Sequence, residues 1–243
     1  MRKLITIILS IMITATATAM VNEYGKVLAV KKIAMDEAMP LSDIPALLDR
    51  CGVEYNDVDI ANWPEYNKQT PKAQFRIAHT GANIIINYRA TENSVASTAN
   101  DMGWNVWEDA CMEFFSSPAD DGIYYNMECN CTGHVLLCAG APGTERPAAS
   151  AETLAKIKRW STLGSGLFAE RVGECTWQVV LVIPADVFYQ HKITDFSGLT
   201  FRANFYKCGD KLQQPHFLSW NAIGTSKPNF HQPQYFGTIV FEK

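Results

Sequence analysis

The sequence lacks concentrated positive charge and the short motifs of several common enzyme classes. Its 21 Lys and Arg residues are outnumbered by 25 Asp and Glu residues, which gives a net charge of −4. No Lys/Arg cluster is large enough to offset phosphate repulsion, which argues against nucleic acid as a partner. Neither a Gly-x-Ser-x-Gly elbow nor a Gly-x-x-x-x-Gly-Lys loop is present, which argues against the common hydrolase nucleophile and the phosphate cradle.

Long apolar runs are also missing beyond the first twenty residues, so no segment is predicted to span a membrane. Near the start, Arg2-Lys3 precede an apolar run from Leu4 to Ile13, and the small residues Ala17-Thr18-Ala19 follow. This order is typical of a secretory signal peptide over residues 1–19, and no Cys for lipid attachment follows the expected cut before Met20. We therefore expect an exported protein that is periplasmic or extracellular.

The remaining length and the 47% content of hydrophobic residues suit one large domain with a sizeable core. Residues 20–62 are interpreted as a peripheral lead-in to that domain. The lead-in contains a β-type run, Val27–Ile33, and a short helix with Ser42 or Asp43 as its cap and Pro45 in its first turn.

Residues 63–243 contain many short β-type runs that are separated by turn residues. Besides the hairpin described next, the runs are Phe75–His79, Ile84–Arg89, His134–Cys138, Trp177–Ile183, Leu199–Tyr206, His216–Trp220 and Phe236–Phe241. A second short helix is predicted within Ala151–Lys158. This pattern predicts an all-β domain, a two-sheet β-sandwich of jelly-roll or immunoglobulin-like type with one or two short peripheral helices.

One predicted hairpin carries amides and carboxylates on a single face. Its strands are Asn105–Phe115 and Ile123–Cys131, and turn residues at positions 116–122 join them. Asn is depleted in strands, so a row of such side chains indicates a functional role. Hydrogen bonding to a sugar is one such role. Because strand side chains alternate between faces, the polar face is expected to hold Glu113, Asn126, Glu128 and Asn130.

A second run, Phe201–Asp210, also places polar side chains on one face, among them Arg202 and Asn204. If both runs belong to one sheet, these residues converge with Glu113. An ion pair between Glu113 and Arg202 that only stabilises the sheet is the alternative to a binding role.

These runs resemble the family 9 carbohydrate-binding modules found in exported bacterial proteins. The resemblance extends from about Trp63 to the C-terminus. It implies a β-sandwich that holds a sugar between two Trp rings, hydrogen-bonds its hydroxyls and catalyses no reaction. It rests on Val106–Phe115, Tyr124–Asn130, Arg202–Tyr206, Pro215–Trp220 and Asn229–His231.

By this resemblance, Trp107 and Trp220 are the stacking rings and Glu113 is the main hydroxyl-binding carboxylate. The faces of a pyranose are apolar and lie against aromatic rings, whereas its hydroxyls need fixed polar partners. The alternative to a stacking role is, for both Trp residues, a place in the core. The resemblance implies Arg202 and Asn126 or Glu128 as further polar contacts. Because Asn204 shares their expected face, Asn126, Glu128, Arg202 and Asn204 are all predicted to hydrogen-bond to the sugar.

Two other functions remain as alternatives at this stage. A glycoside hydrolase of the xylanase type would use Glu113 and Glu128 as its pair of carboxylates, which must lie on the two sides of a cleft. A haem-binding electron-transfer domain of related fold is less well supported, because Met127 faces away from the polar row and no Cys-x-x-Cys-His motif is present.

No cofactor is expected, and no metal site is predicted. The seven Cys residues of an exported chain indicate some disulfides, while Cys129-x-Cys131 without a matching second pair is weak evidence for zinc. The resemblance leaves room for a structural calcium ion, but Asp120-Asp121-Gly122 is too short to be a calcium-loop motif. The expected partners are a poly- or oligosaccharide and the glycoside hydrolases that act on it.

Overall fold

The computed structural model describes residues 20–22, 25–101 and 105–243. The expected signal peptide over residues 1–19 lies outside the described residues and stays a prediction. Within the described ranges, no helix combines the length and the apolar character that crossing a bilayer requires.

Strands are the main regular structure of the described chain, and its helices are few and short. The strands are β1 Met20–Asn22, β2 Gly25–Lys32, β3 Asn56–Asp57, β4 Lys72–His79, β5 Asn83–Ser97, β6 Cys111–Ser117, β7 Tyr124–Asn130, β8 Val135–Gly140, β9 Lys158–Ser161, β10 Phe168–Pro184, β11 Thr200–Cys208, β12 Phe217–Ser219 and β13 Gly237–Phe241. The α-helices are α1 Ile44–Arg50 and α2 Ala151–Ala155, and 3-10 turns lie at Leu41–Asp43, Pro64–Tyr66, Val106–Glu108, Ala185–Val187 and Pro233–Tyr235.

The strands form two layers that enclose one apolar core. The first sheet has the order β8-β7-β6-β11-β13-β2, and the second continues from the end of β2 as β4-β5-β10-β9. Between the layers, Phe205 of β11 stacks on Phe75 of β4 with their ring centroids 3.5 Å apart. The predicted all-β sandwich is confirmed.

The lead-in is part of the sandwich and not peripheral as expected. Strand β2 pairs in parallel with β13 through one half of its length and with β4 through its end, so it joins the two sheets. Helix α1 packs Leu48 onto the outer face of the second sheet, next to Ile85 and Val180. Pro45 lies in the first turn as predicted, while Asp43 takes the N-cap position without a side-chain capping bond.

The predicted polar hairpin is present, but its first strand begins later than expected. Residues 106–108 form a 3-10 turn, and β6 starts only at Cys111. Asp109 anchors the turn, because its carboxylate accepts hydrogen bonds from the backbone of Thr98 at 2.9 Å and from the side chain of Asn130 at 3.0 Å. Asn130 therefore supports the turn that carries Trp107.

The cysteines differ from the expectation. All seven are free thiols, so the disulfides expected for an exported chain are absent. Cys129 and Cys131 are buried in the core between the sheets, where they pack as small apolar side chains.

Candidate functional site

A cleft of about 590 Å³ opens on the outer face of the first sheet. Its floor is formed by β6, β7, β8 and the end of β11, and four loops form its walls. A volume of this size suits one or two sugar rings, since small-molecule sites commonly span a few hundred cubic ångströms. The lining residues are Trp107, Glu113, Phe115, Asn126, Glu128, Leu136, Cys138, Thr144, Glu145, Arg146, Cys208, Asp210, Phe217, Pro228, Asn229, Phe230 and His231.

Two buried carboxyl groups form the centre of the floor. Glu113 on β6 and Glu128 on β7 are direct register partners, with 2% and 3% of their surfaces exposed. Burial raises the pKa of Glu113 well above its usual value, and the neighbouring Glu128 raises it further. Burial also raises the pKa of Glu128, to about 7. The pair therefore holds a proton near neutral pH, which relieves the repulsion between like charges.

Each of these carboxyl groups has one oxygen that is bonded and one that is not. Cys208 Sγ donates to Glu113 Oε1 at 3.0 Å, and Asn126 Nδ2 donates to Glu128 Oε1 at 2.9 Å. The Oε2 atoms of both residues are buried and have no hydrogen-bond partner. Buried polar atoms are almost always bonded, so two unpartnered carboxyl oxygens at the floor of a cleft are unusual.

Arg146 closes one side of the cleft through a chain of hydrogen bonds. Its Nη1 donates to Asn126 Oδ1 at 2.7 Å, and Asn126 in turn donates to Glu128. The guanidinium also lies over the ring of Tyr124, 4.8 Å from its centroid. This chain fixes the orientation of the Asn126 amide and brings the loop at positions 141–150 to the site.

Aromatic side chains form the other walls. Trp107 and Phe217 are half-buried and pack against the apolar cluster on this face of the sheet, which also contains Phe230. Phe230 is held in place by Tyr206, on which it stacks with 4.2 Å between ring centroids and 4° between ring planes. Such rings provide flat apolar surfaces beside the polar floor.

The turn that carries Trp107 is fastened to the segment after β11. The backbone N–H of Asp210 donates to the carbonyl of Trp107 at 3.2 Å, and that of Lys211 donates to the carbonyl of Glu108 at 3.2 Å. Burial raises the pKa of the Asp210 carboxyl to about 6, and the charge of Glu108 adds to the shift.

Of the seven site residues predicted from the sequence, four line this cleft: Trp107, Glu113, Asn126 and Glu128. Trp220 is instead 1% exposed in the core, with its ring edge-on to Phe75 at 5.7 Å, so it is not a wall of the cleft. Phe217 takes a wall position three residues earlier.

The other two predicted residues share the face but lie outside the cleft. Asn204 is fully buried, where its Nδ2 donates to the carbonyl of Asn221 and its Oδ1 accepts from the N–H of the same residue. Arg202 donates to the carbonyls of Phe236 and Gly237. The ion pair between Arg202 and Glu113 is absent, so that alternative is wrong.

Sequence reasoning missed several residues of the cleft. Phe217 and Phe230 lie in motifs that carried the family resemblance, yet alternation alone could not show that they face the cleft. Arg146 and Asp210 come from loops that lack a periodic pattern. Their positions follow from loop paths that no local signal predicts.

The family profile described as carbohydrate-binding family 9 matches residues 42–241. This chain belongs to carbohydrate-binding family 9. Among curated proteins, no sequence matches the chain significantly.

Solved structures agree with this family 9 assignment. A candidate carbohydrate-binding protein from Bacteroides uniformis is 49% identical, with a TM-score of 0.85 over 89% of this chain and 99% of that one. Two structures of a family 9 module from Caldicellulosiruptor kristjanssonii share 12% identity, which supports the fold alone. Its cellotriose complex has a TM-score of 0.56 over 89% of this chain and 94% of that one. Its glucose complex has a TM-score of 0.50 over 89% and 96%.

Proposed function

We propose that the cleft binds a carbohydrate without catalysing a reaction. Trp107 stacks on one face of a sugar ring, and Phe217 with Phe230 provides the apolar wall. Glu113 and Glu128 accept hydrogen bonds from sugar hydroxyls, and Asn126 and Arg146 complete the polar edge. The observation that carries the proposal is the pair of unpartnered Oε2 atoms at the floor of an aromatic-walled cleft.

The chemistry of a sugar matches this combination. Each hydroxyl can donate to a carboxylate oxygen, and such bonds are short and strong because the acceptor is charged. The C–H faces of the ring lose contact with water when they lie on an aromatic side chain. A ligand without hydroxyls would leave the two carboxyl oxygens unpaired, which would weaken its binding.

The charge of the floor favours a neutral sugar. Burial raises the pKa of Glu113 and of Glu128, and the charge of Glu128 raises that of Glu113 further. A uronic acid would add a third carboxylate to the same cleft, with Arg146 as the one lining cation to offset it. We therefore expect neutral hexoses or pentoses to bind more tightly than their uronic acid counterparts.

The location of this activity is inferred from the signal peptide that the sequence predicts. A secretory signal peptide would deliver the protein to the periplasm or the exterior, where polysaccharides are degraded. There the module would hold a poly- or oligosaccharide for glycoside hydrolases that act on the same polymer.

A glycan array with the purified protein, followed by titration calorimetry with the best neutral sugar, tests the proposal. Trp107→Ala should abolish retention on that sugar and leave the thermal unfolding temperature nearly unchanged, because the ring is half-buried. Tyr66→Ala is the matched control, since Tyr66 is 38% exposed and does not line the cleft. A variant that loses its stability together with binding would show that Trp107 is a core residue.

Hydrolysis is the second candidate, because a carboxyl group that stays protonated near neutral pH can act as a general acid. However, Glu113 and Glu128 are adjacent on one sheet face and would contact a ligand from the same side. Glycosidase carboxyl groups flank the bond that breaks. Release of reducing sugar from a polysaccharide panel, absent in Glu113→Gln, would support hydrolysis over binding.

A further inference from the structure

Two cysteines that are far apart in the sequence meet at the floor of the cleft. Cys111 begins β6 and Cys208 ends β11, and the two are direct register partners in the antiparallel pair. Glu113 lies two residues after Cys111 and therefore faces the same side. One potential ligand atom from each of the three residues lies within 4.8 Å of the other two.

We propose that Cys111, Glu113 and Cys208 bind a zinc ion. Two thiolates and a carboxylate are a donor set that suits zinc, whereas calcium and magnesium prefer sites made only of oxygen ligands. In a tetrahedral zinc site with bonds of about 2.0 to 2.3 Å, ligand atoms lie about 3.5 to 3.8 Å apart. The observed spacing needs only a small adjustment of side chains to reach this geometry.

A second observation points to a ligand at this position. Glu113 is only 2% exposed, and its Oε2 atom is buried without a hydrogen-bond partner. A carboxylate in such surroundings is unfavourable unless a cation or a donor reaches it. A zinc ion bound by Glu113 and the two sulfur atoms would supply a cation beside this carboxyl group.

The cleft offers both a route of entry and a fourth coordination position. Cys208 and Glu113 line the cleft, whereas Cys111 lies beneath them and is fully buried. Three protein ligands with one position open to solvent form the usual pattern of a zinc site that can bind a further molecule. Water, or a hydroxyl of a bound sugar, would complete the tetrahedron from the cleft side.

Sequence patterns alone did not reveal this cluster. Cys129-x-Cys131 has a spacing that resembles a metal motif, but both thiols lie in the core between the sheets. The cysteines that do meet come from different strands, and strand register brings them together. Both proposed sites use Glu113, but the zinc site does not require that a sugar binds.

The test uses cobalt(II) as a spectroscopic probe of the reduced, metal-free purified protein. We expect one equivalent of cobalt to bind with visible bands of tetrahedral geometry and with sulfur-to-cobalt charge-transfer absorption, and zinc to displace it. Cys111→Ser and Cys208→Ser should each lose most of the charge-transfer intensity. Cys51→Ser and Cys175→Ser are matched controls, because these half-buried thiols lie outside the cluster.

Glu113→Gln retains both thiols and serves if a cysteine variant fails to fold. It should weaken cobalt binding by about tenfold or more, with an unchanged circular dichroism spectrum. In the wild-type protein, zinc should also slow alkylation of Cys208, as measured by peptide mass spectrometry, and leave alkylation of Cys51 unchanged.

Several results would overturn the zinc site. These are cobalt binding without sulfur charge transfer, thiols that react equally fast with and without zinc, and a Cys111–Cys208 disulfide in the protein purified without reductant. Sugar titrations in the presence of a chelator separate the two proposals, because sugar binding can then succeed or fail without the metal.

Discussion

The two faces of the first sheet differ in whether their buried charged side chains have partners of opposite charge. On the inner face, Lys207 Nζ lies 2.9 Å from Glu92 Oε2, and Trp177 Nε1 donates to Glu92 Oε1 at 2.6 Å. His216 Nε2 lies 2.8 Å from Lys207 Nζ, and burial lowers the pKa of this His well below its usual value. The buried acid therefore faces a buried cation, and the imidazole stays neutral.

On the outer face, no such compensation is present. Neither Glu113 nor Glu128 makes an ion pair with any residue in the described ranges, and each keeps one unpartnered oxygen. A buried carboxyl group that serves only the fold is expected to have a partner within the fold. The comparison indicates that the outer pair is arranged for a partner that comes from outside.

The largest expected effect concerns aromatic residues on the two faces. Trp220→Ala should lower the free energy of unfolding by about 4 kcal/mol, because it leaves a large cavity in the core. Phe217→Ala should cost less than about 1.5 kcal/mol, because its half-buried side chain leaves no closed cavity, but should weaken sugar binding. Urea unfolding and calorimetry measure both. The opposite result, a stable Trp220→Ala protein without sugar binding, would restore Trp220 as a stacking ring.

The next prediction tests the ion pair between Lys207 and Glu92 on the inner face. Lys207→Met should lower the free energy of unfolding by about 3 kcal/mol, because Glu92 would remain buried without its cation and only His216 could partly replace it. Urea unfolding at neutral pH measures this. Lys156→Met is the matched control, since Lys156 pairs with Asp186 at the surface and should contribute less than about 1 kcal/mol. Equal effects of the two changes would contradict the comparison.

Glu113→Gln should weaken sugar binding without lowering stability, unlike Lys207→Met. In the presence of a chelator, it should reduce sugar affinity up to about tenfold, since one side-chain hydrogen bond contributes about 0.5 to 1.5 kcal/mol. The free energy of unfolding should stay the same or rise, because an unpaired buried acid is removed. Calorimetry and urea unfolding check the two parts. Glu54→Gln, at an exposed position outside the cleft, should change neither.

The last prediction concerns the pH dependence of stability. The pKa of Glu128 is raised from 4.5 to about 7 in the folded protein, so the folded state binds more protons than the unfolded state between these values. Stability from this group is therefore present below pH 4.5 and is lost as pH rises towards 7. With a chelator present, the wild-type protein should lose about 3 kcal/mol more than Glu128→Gln over this interval, because each unit of pKa shift corresponds to about 1.4 kcal/mol. Parallel pH profiles in urea unfolding would show that Glu128 has an ordinary pKa.

Much of the outer face could be predicted from the sequence. Alternation correctly placed Glu113, Asn126 and Glu128 on one side of the sheet and Met127 on the other, because the period of two is a local property of extended backbone. The family resemblance singled out Trp107, which lines the cleft, although that residue lies on a 3-10 turn and not on a strand.

The sequence could not predict which part of that face remains accessible. Asn130 and Asn204 have the right parity but are buried, the first by the segment that carries Asp109 and the second by the backbone of Asn221. Arg146 enters from a loop. Which part of a sheet face remains accessible depends on the paths of distant loops, and these have no periodic signal.

The sequence by itself determined the all-β class and the polar character of one sheet face, since both depend on the alternation of neighbouring side chains. The tertiary structure alone decided that Phe217 and not Trp220 borders the cleft, and that Cys111 meets Cys208 beside Glu113. Those pairings depend on strand register and on which side of the sheet each segment approaches, and only contacts between residues distant in the chain determine them.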